Sequence, residues 1–386
     1  MAFSAHHDED SVKEHFETDE QIESKARSLA TQIRKSKHFI VFTGAGIATS
    51  AGVPDFRGPS GKWTLEAQGK RLQTSSQCTL QAIPTQAHMA LVKLQHDGKL
   101  KYLVSQNCDG LHRRSGIDAD CISELHGNSN REFCIRCGTE YLRDFRAVAS
   151  HEKTVFNHRT GRRCALCRGD LHDSIVHFTE SLPQIPKERA FDAARKADLC
   201  LVLGSSLTVT PANEVPEVVG QRRGAKLVIC NLQKTPLDGL ASTRIWAKAD
   251  DLMVRVMQHL ELSIPAFVLR RRLKLQLTPK ARGCQLVITG LDVDDTPATF
   301  LQSVKVERRT AKTEPYIFEL RDDLVSGVEF MIELQFMGHY GEPNLTLTHR
   351  YNGGWEDLQC SYLLSYSPQN ASWTTSREAQ PLSGQL

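Results

Sequence analysis

Four cysteines stand in two pairs whose spacing suits a metal ion. Cys134 and Cys137 form one C-x-x-C motif, and Cys164 and Cys167 form a second. Four thiolates hold zinc tetrahedrally and leave no open position, so such a site is structural. Residues 138–163 lie between the pairs and exceed the about 15–20 residues of a simple zinc ribbon, which predicts a loop there. A redox role is the weaker interpretation, because one C-x-x-C motif would suffice for it.

A glycine-rich loop is the second feature that could support chemistry. Gly44, Ala45 and Gly46 closely follow an apolar run over residues 38–42. Glycines at such a turn let backbone amides approach a pyrophosphate, and a helix N-terminus there would favour its negative charge. The dinucleotide-binding fingerprint G-x-G-x-x-G is incomplete, because Thr49 stands at the third glycine position. An ordinary strand-to-loop turn therefore remains an alternative when the glycines are taken alone.

Short apolar runs that alternate with helical patterns must position these residues. Residues 21–35 carry apolar side chains at helical spacing, and continuous apolar runs occupy 38–42, 102–106, 199–203 and 226–230. Apolar strands between helices are typical of a parallel sheet that is covered on both faces. Ligands of such sheets bind at the carboxyl ends of the strands. We therefore predict an α/β fold with a Rossmann-like parallel sheet and the glycine loop at its binding edge.

Changes in composition divide the chain into four predicted parts. Residues 1–20 are acidic and polar and are expected to form a disordered tail. Residues 21–265 form the α/β domain, into which the cysteine-rich residues 127–180 are inserted as a small zinc-binding module. Residues 270–366 alternate apolar and polar side chains, which favours a β-rich, sandwich-like domain. Residues 367–386 are expected to form a second disordered tail.

The overall composition excludes several classes of protein. A net charge of +3 and a pI near 8.3 are too weak to indicate nucleic-acid binding by bulk charge. No apolar run reaches the ~18–20 residues of a membrane span. The N-terminal residues lack the basic and apolar regions of a secretory signal, which predicts a location in the cytosol or nucleus. Thiols stay reduced there, which favours metal ligands over disulfides.

Further motifs follow the glycine loop in a fixed order. They are Gly-Ala-Gly-Ile-Ala-Thr-Ser-Ala-Gly-Val-Pro-Asp-Phe-Arg at 44–57, Gln-Asn-Cys-Asp-Gly-Leu-His at 106–112, Glu-Leu-His-Gly-Asn at 124–128, the two cysteine pairs, Gly-Ser-Ser-Leu at 204–207 and Ile-Cys-Asn-Leu-Gln at 229–233. This series resembles the signature of the sirtuin family over about residues 22–265. The segment Gly-Pro-Ser-Gly-Lys-Trp at 58–63 is similar to the class IV branch of that family.

The resemblance implies an enzyme that removes acyl groups from lysine side chains and consumes NAD. His126 would be the general base toward a ribose hydroxyl, a task that suits imidazole with its reference pKa of about 6.5. Asn107 and Asp109 would hold the carboxamide and ribose region, and the products would be free lysine, nicotinamide and O-acyl-ADP-ribose. The implied cofactor-binding residues are Gly44, Ala45, Gly46, Thr49, Asp55, Phe56, Arg57, Trp63, Gln106, Gly204, Ser205, Ser206, Asn231, Gln233 and Ala249.

Departures from the family pattern leave the substrate and the balance of activities open. Thr179 replaces a glycine, and His177 and Phe178 stand where class IV members carry an acidic residue and tryptophan. The expected partners are acyl-lysine proteins, histone tails in particular, with chromatin association, a nuclear location and no membrane. The run Arg-Arg-Arg-Leu-Lys at 270–274 is either a nuclear signal or a solvated linker. The alternatives are a mono-ADP-ribosyltransferase, a non-catalytic chromatin-binding NAD sensor and an NAD-dependent dehydrogenase.

Overall fold

The computed structural model describes residues 12–70, 79–149, 156–320 and 324–378. The strands within these ranges are β1 (Phe39–Thr43), β2 (Leu100–Ser105), β3 (Ile122–Glu124), β4 (Arg131–Cys134), β5 (Glu140–Arg143), β6 (Arg159–Arg163), β7 (Asp170–Asp173), β8 (Leu199–Leu203), β9 (Lys226–Cys230), β10 (Thr243–Ile245), β11 (Leu269–Pro279), β12 (Cys284–Leu291), β13 (Ala298–Thr299), β14 (Leu301–Val306), β15 (Arg309–Ala311), β16 (Tyr316–Leu320), β17 (Val328–Phe336), β18 (Leu345–Tyr351), β19 (Gln359–Ser367) and β20 (Ser372–Glu378). The helices are Asp19–Lys35, Lys62–Ala67, Gln86–His96, Leu111–Ser115, Gln184–Lys196, Glu214–Gly220, Ala249–Leu260 and Trp355–Leu358.

Two compact units make up the described chain. The first contains the described residues up to 129, residue 156 and residues 174–267, and the second contains residues 130–149, 157–173 and the described residues from 268 onward. None of the described helices is long and apolar enough to cross a membrane.

A six-stranded parallel sheet forms the centre of the first unit. Its strand order is β10-β9-β8-β1-β2-β3, so the direction of winding reverses at β1. All five residues of β1 and of β8 are buried, which explains why these strands are continuous apolar runs. One hydrophobic cluster packs Val41 against helical side chains such as Leu91, and another packs Phe42 against Ala190. The predicted α/β fold with a Rossmann-like sheet is confirmed.

The first described helix begins earlier than its apolar pattern indicates. The side chain of Thr18 accepts a hydrogen bond from the backbone N–H of Gln21, and the Gln21 side chain accepts one from the backbone N–H of Thr18. This capping box satisfies backbone donors at the start of the helix Asp19–Lys35. The apolar face of the helix, with Ala26 and Leu29 fully buried, joins the same cluster as the helix Ala249–Leu260.

The prediction of a disordered tail over residues 1–20 is wrong for residues 12–20. The backbone N–H of His15 donates to the carbonyl of Leu232 at 2.8 Å, and that of Glu17 donates to the carbonyl of Trp246 at 3.0 Å. These bonds hold the segment against the chain that leaves β9 and β10. Polar composition did not reveal this, because backbone groups make both bonds. Residues 1–11 of the predicted tail lie outside the described residues.

The second unit contains a mixed sheet and two antiparallel sheets. Their strand orders are β13-β5-β4-β7-β6, β16-β12-β11-β19-β20 and β15-β14-β17-β18. Alternate residues of β12 and β17 are buried, and they form one hydrophobic cluster with members such as Ile288, Ile332 and Leu364. The β-rich character predicted for residues 270–366 is therefore present. The strand β20 extends it, so the expectation of a disordered tail over 367–386 is wrong for residues 372–378; residues 379–386 lie outside the described residues.

The cysteine-rich strands and the C-terminal strands belong to one unit. β13 pairs in parallel with β5, so a C-terminal strand completes the sheet that β4 to β7 form. The Arg143 guanidinium donates to Thr299 Oγ1 at 2.5 Å, and the His339 ring contacts the carbonyl of Asp144. The sequence predicted two separate bodies here, and the structure instead joins them.

A buried arginine connects these two parts of the second unit. Arg271 in β11 is 8% exposed, its Nη2 lies 2.7 Å from Asp144 Oδ1, and its Nη1 lies 3.5 Å from Asp292 Oδ1. Arg272 pairs with Asp295 and Glu378. The run 270–274 therefore lies within a strand and its central arginine is buried, which contradicts both a solvated linker and an exposed nuclear signal.

Replacing Arg271 by methionine is expected to lower the free energy of unfolding by about 3–5 kcal/mol, because two carboxylates lose their buried counter-charge. The neighbouring Arg270 is exposed, and Arg270→Met is expected to change the free energy of unfolding by less than about 0.5 kcal/mol. Chemical denaturation of both variants measures the difference. Equal stabilities for the two variants would show that the Arg271 ion pairs contribute nothing.

Candidate active site

A cleft of about 280 Å³ opens where the parallel strands end. The loops after β1, β2, β3, β8 and β9 all contribute to its wall. The predicted residues that line it are Gly44, Ala45, Gly46, Asp55, Phe56, Arg57, Trp63, Gln106, Asn107, His126, Gly204, Ser205, Ser206, Asn231 and Gln233. Thr49 and Ala249 line an adjoining cavity of about 430 Å³, which shares Gly46, Asn231 and Gln233 with the cleft.

The glycine loop packs directly against the loop after β8. The backbone N–H of Gly46 donates to the carbonyl of Gly204 at 2.9 Å. A Cβ atom on Gly44 would lie 2.6 Å from the Gly204 oxygen, and one on Gly46 would lie 2.7 Å from the Gly204 Cα. Both glycines are therefore required by the close approach of two backbones. Thr49 can replace the third glycine of the fingerprint because it is exposed and its hydroxyl donates to the carbonyl of Gly46.

His126 enters the cleft from the loop after β3. Its Nδ1 lies 3.0 Å from the carbonyl oxygen of Gln106. A carbonyl only accepts, so Nδ1 carries the proton and Nε2 is the proton-accepting nitrogen. Burial lowers the pKa of His126 below its usual value, and the hydrogen bond to Gln106 opposes that shift. The imidazole is consequently neutral near pH 7, as a general base must be.

Polar side chains connect the ends of three neighbouring strands. The Asn107 amide nitrogen donates to the carbonyl of Gly44 at 3.1 Å, and the Ser205 hydroxyl donates to Gln106 Oε1 at 2.7 Å. Asp109 is placed differently, because it does not line the cleft and its Oδ1 accepts from the backbone N–H of Leu111 at 2.8 Å. Burial raises the pKa of Asp109. Its carboxylate therefore fixes the start of the following helix.

Two histidines are fully enclosed close to this network. His88 and His112 have ring centroids 4.7 Å apart, and His112 Nε2 lies 2.9 Å from the hydroxyl of Thr43. Burial lowers the pKa of His112 to about 3, and burial together with His112 lowers the pKa of His88 well below its usual range. Both rings are neutral in the folded protein at neutral pH.

Because these two histidines are buried in their neutral form, we expect the protein to lose stability as pH falls. The unfolded chain binds a proton at His112 near about pH 6.5, whereas the folded chain does so only near pH 3, so each pH unit between these values costs about 1.4 kcal/mol. Between about pH 7 and pH 5 we expect His112→Gln to lose about 2 kcal/mol less than the parent protein, measured by urea denaturation. The exposed His96→Gln is the control. Identical pH dependences for all three proteins would contradict this assignment.

Aromatic side chains form one wall of the cleft. The ring centroids of Phe56 and Trp63 are 4.6 Å apart, and those of Trp63 and Phe178 are 5.7 Å apart. The Arg57 guanidinium lies 4.6 Å from the centroid of Trp63, and burial lowers the pKa of Arg57 to about 10. Phe56 and Phe178 are 42% and 59% exposed, so this wall presents apolar surface to whatever enters the cleft.

The four predicted zinc ligands come together in the second unit. Their sulfur atoms all lie within 4.8 Å of one another, with Cys134 and Cys167 sulfurs 3.3 Å apart and Cys137 and Cys164 sulfurs 3.6 Å apart. Zinc–sulfur bonds of about 2.3 Å place tetrahedral sulfurs about 3.8 Å apart, so the cluster fits one zinc ion. Cys134 and Cys164 are buried, whereas Cys137 is exposed.

Comparison with known proteins assigns the chain to a family. The model of the Sir2 family matches residues 66–211. The chain is 43% identical over 279 residues to the NAD-dependent protein deacetylase SRT1 of Arabidopsis thaliana, and 36% identical over 260 residues to the NAD-dependent protein deacetylase Sirt6 of Drosophila melanogaster. The latter match covers 66% of this chain and 81% of the Drosophila protein. The chain belongs to the Sir2, or sirtuin, family. The resemblance inferred from the motifs is thereby confirmed.

This sirtuin matches only part of several relatives. It is 42% identical to the human NAD-dependent protein deacetylase sirtuin-7 over 64% of this chain and 63% of the human protein. The Arabidopsis match covers 72% of this chain and 58% of that relative. The chain therefore spans about 60% of the length of these two relatives.

Several residues of this sirtuin line the cleft without having been predicted as site residues. They are Cys108, Val176, His177, Phe178, Thr179, Glu180, Leu182, Val209, Thr210 and Pro211. His177, Phe178 and Thr179 depart from the family pattern, and that departure was the available signal. Val209, Thr210 and Pro211 had none, because no motif or spacing distinguishes them from an ordinary loop.

Proposed function

We propose that this sirtuin is an NAD-dependent protein-lysine deacylase. The observation that carries the proposal is the placement of His126. The Gln106 carbonyl fixes its Nδ1, and its Nε2 is the proton-accepting nitrogen in a cleft at the strand ends. The relatives in Arabidopsis, Drosophila and human are each described as NAD-dependent protein deacetylases, which supports the same activity here.

The cleft fits a dinucleotide at its glycine loop. Gly44, Ala45 and Gly46 line the cleft with little or no side chain, so their backbone is accessible to a pyrophosphate there. Asn231, Gln233, Thr49 and Ala249 would hold the adenosine half in the adjoining cavity. The remaining predicted residues are proposed cofactor contacts: Ala45, Asp55, Phe56, Arg57, Trp63, Gln106, Gly204, Ser205 and Ser206.

NAD, when bound, supplies a ribose carbon that becomes reactive as nicotinamide leaves. His126 accepts a proton from a ribose hydroxyl at Nε2, and the Gln106 carbonyl stabilises the imidazolium through Nδ1. Asn107 orients the carboxamide region, whereas Asp109, which does not line the cleft, supports this region by fixing the start of the helix Leu111–Ser115. Phe56 and its aromatic neighbours exclude water from the reacting atoms.

Zinc is the metal ion that the four cysteines are proposed to bind. Its role is structural, because four thiolates fill the coordination sphere and leave no position for substrate. One C-x-x-C motif lies between β4 and β5 and the other lies between β6 and β7, so the ion would join these two turns.

The proposed substrates are acyl-lysine side chains of proteins. The more specific proposal is that these proteins are histone tails and that the enzyme associates with chromatin in the nucleus. This more specific proposal rests on the similarity to the class IV branch. The test is incubation of the purified protein with acetyl-lysine and myristoyl-lysine histone H3 peptides, with and without NAD, followed by mass spectrometry. We expect loss of the acyl mass only with NAD, and the ratio of the two rates gives the chain preference. ADP-ribose attached to protein, with both peptides unchanged, would overturn the proposal in favour of a transferase.

A further inference from the structure

The segment before the first described helix crosses the binding edge of the parallel sheet. Leu232 and Trp246, which accept its two backbone hydrogen bonds, lie two residues and one residue beyond the carboxyl ends of β9 and β10. The ring of His15 lies against that of Trp246, with centroids 4.7 Å apart. The Lys25 ammonium pairs with Glu17 and donates to the carbonyl of Arg244 at 2.6 Å. Residues 12–18 are therefore fixed at the end of the sheet where the cleft opens.

One side chain of the proposed cofactor site ties this segment to the cleft. The amide nitrogen of Gln233 donates to the carbonyl of Val12 and to the carbonyl of Arg57, each at 3.0 Å. Gln233 lines both the cleft and the adjoining cavity. The N-terminal segment thus shares a hydrogen-bonding partner with the loop that carries Asp55, Phe56 and Arg57.

Glu14 is the residue of this segment that reaches the ligand space. It lines the adjoining cavity together with Thr49, Asn231 and Ala249. Its carboxylate is half-buried and makes no hydrogen bond to the described part of the chain. Burial and the nearby Asp55 carboxylate raise the pKa of Glu14, whereas Lys248 opposes that shift. A half-buried carboxylate that lines an open cavity can accept hydrogen bonds from a ligand, and hydrogen bonds to a charged acceptor are among the stronger ones.

We infer that Glu14 is an adenosine-side cofactor-binding residue that selects NAD over its 2′-phosphorylated form. An ionised carboxylate only accepts hydrogen bonds, and the adenosine ribose of NAD offers two hydroxyl donors. Dinucleotide-binding folds commonly use an acidic residue for this ribose. In this chain the acid comes from a segment outside the sheet. The cavity is lined by the two carboxylates of Glu14 and Asp55 and by the single ammonium of Lys248, so its lining is net negative, which disfavours a 2′-phosphate.

The inference rests on the proposed NAD site and is tested by binding rather than by turnover. Calorimetry measures the Kd of ADP-ribose and of 2′-phospho-ADP-ribose for the full chain, for Glu14→Gln and for the control Glu20→Gln. Glu20 is exposed in the first turn of the helix Asp19–Lys35 and lines neither cavity. We expect Glu14→Gln to weaken ADP-ribose about tenfold, as loss of one hydrogen bond to a charged group implies. The preference over the phosphorylated ligand should shrink by more than that.

Three outcomes decide the matter. Unchanged affinity and preference in Glu14→Gln, with tight binding by the parent protein, would overturn this inference and leave the proposed function intact. Equal weakening of both ligands together with a lowered Tm would overturn it in favour of a purely structural role. Failure of the parent protein to bind ADP-ribose would overturn the NAD site itself, and this inference with it.

Under steady-state conditions Glu14→Gln should raise KM for NAD and leave kcat near its original value, because the nicotinamide end is untouched.

Discussion

Replacing His126 by alanine is expected to lower the rate of NAD-dependent deacylation by about 10²–10⁴-fold, the usual contribution of a general base. The Gln106 carbonyl that orients the imidazole would lose its partner, but the glycine loop and the adenosine-side residues would be unaffected. The Kd of ADP-ribose should therefore stay within about threefold of the parent value. Steady-state kinetics and calorimetry measure the two effects separately.

The exposed His96 provides the matched control for this prediction. It lies at the end of the helix Gln86–His96 and does not line the cleft, so His96→Ala should retain full activity. Imidazole added to the buffer is expected to restore part of the rate in His126→Ala and in no other variant. Full activity of His126→Ala would remove this residue from the proposed chemistry.

Loss of one cysteine ligand is expected to have the largest effect on the fold. Cys164→Ser should abolish binding of the one zinc ion expected per chain, because the remaining three thiolates leave the tetrahedral site incomplete. Structural zinc contributes about 10–16 kcal/mol to small zinc domains, so β4 to β7 should lose their protection against amide hydrogen exchange. Because β13 pairs with β5, protection of the C-terminal strands should also fall. Elemental analysis and exchange mass spectrometry provide the measurements.

Cys121→Ser is the control for the zinc prediction. Cys121 is a half-buried thiol outside the cluster, and its replacement should leave one zinc ion per chain and normal exchange. One bound zinc ion in Cys164→Ser, or a stable parent protein that contains no zinc, would show that the cysteines serve another purpose.

The parts of the fold that sequence predicts best are those whose environment allows one chemical solution. β1 and β8 are buried on both faces, and only continuous apolar residues satisfy that position. The two cysteine pairs are equally informative, because few other structures need four thiols at that spacing. The cleft residues were found through motifs, and the close approach of Gly44 and Gly46 to Gly204 explains why those glycines are needed.

Other features depend on contacts that leave no trace in the sequence. Backbone hydrogen bonds hold residues 12–18, and their side chains resemble those of a disordered tail. The strand β13 has two residues, too few for any periodicity, although it links the cysteine-rich strands to the C-terminal sheets. The strand β20 is mostly exposed and polar, so it lacks the alternation that identifies a strand. Asp109 belongs to a family motif, yet its carboxylate faces the following helix rather than the cleft.

The ratio of nicotinamide released to lysine freed tests the central claim most directly. The parent protein is incubated with NAD and one acyl-lysine peptide, and both products are quantified in the same reaction over time. If His126 and the cleft couple consumption of NAD to removal of the acyl group, the two amounts will rise together in a one-to-one ratio, and lysine will be freed about 10²–10⁴-fold more slowly in His126→Ala. Lysine freed without NAD, or nicotinamide released without freed lysine, would contradict the account.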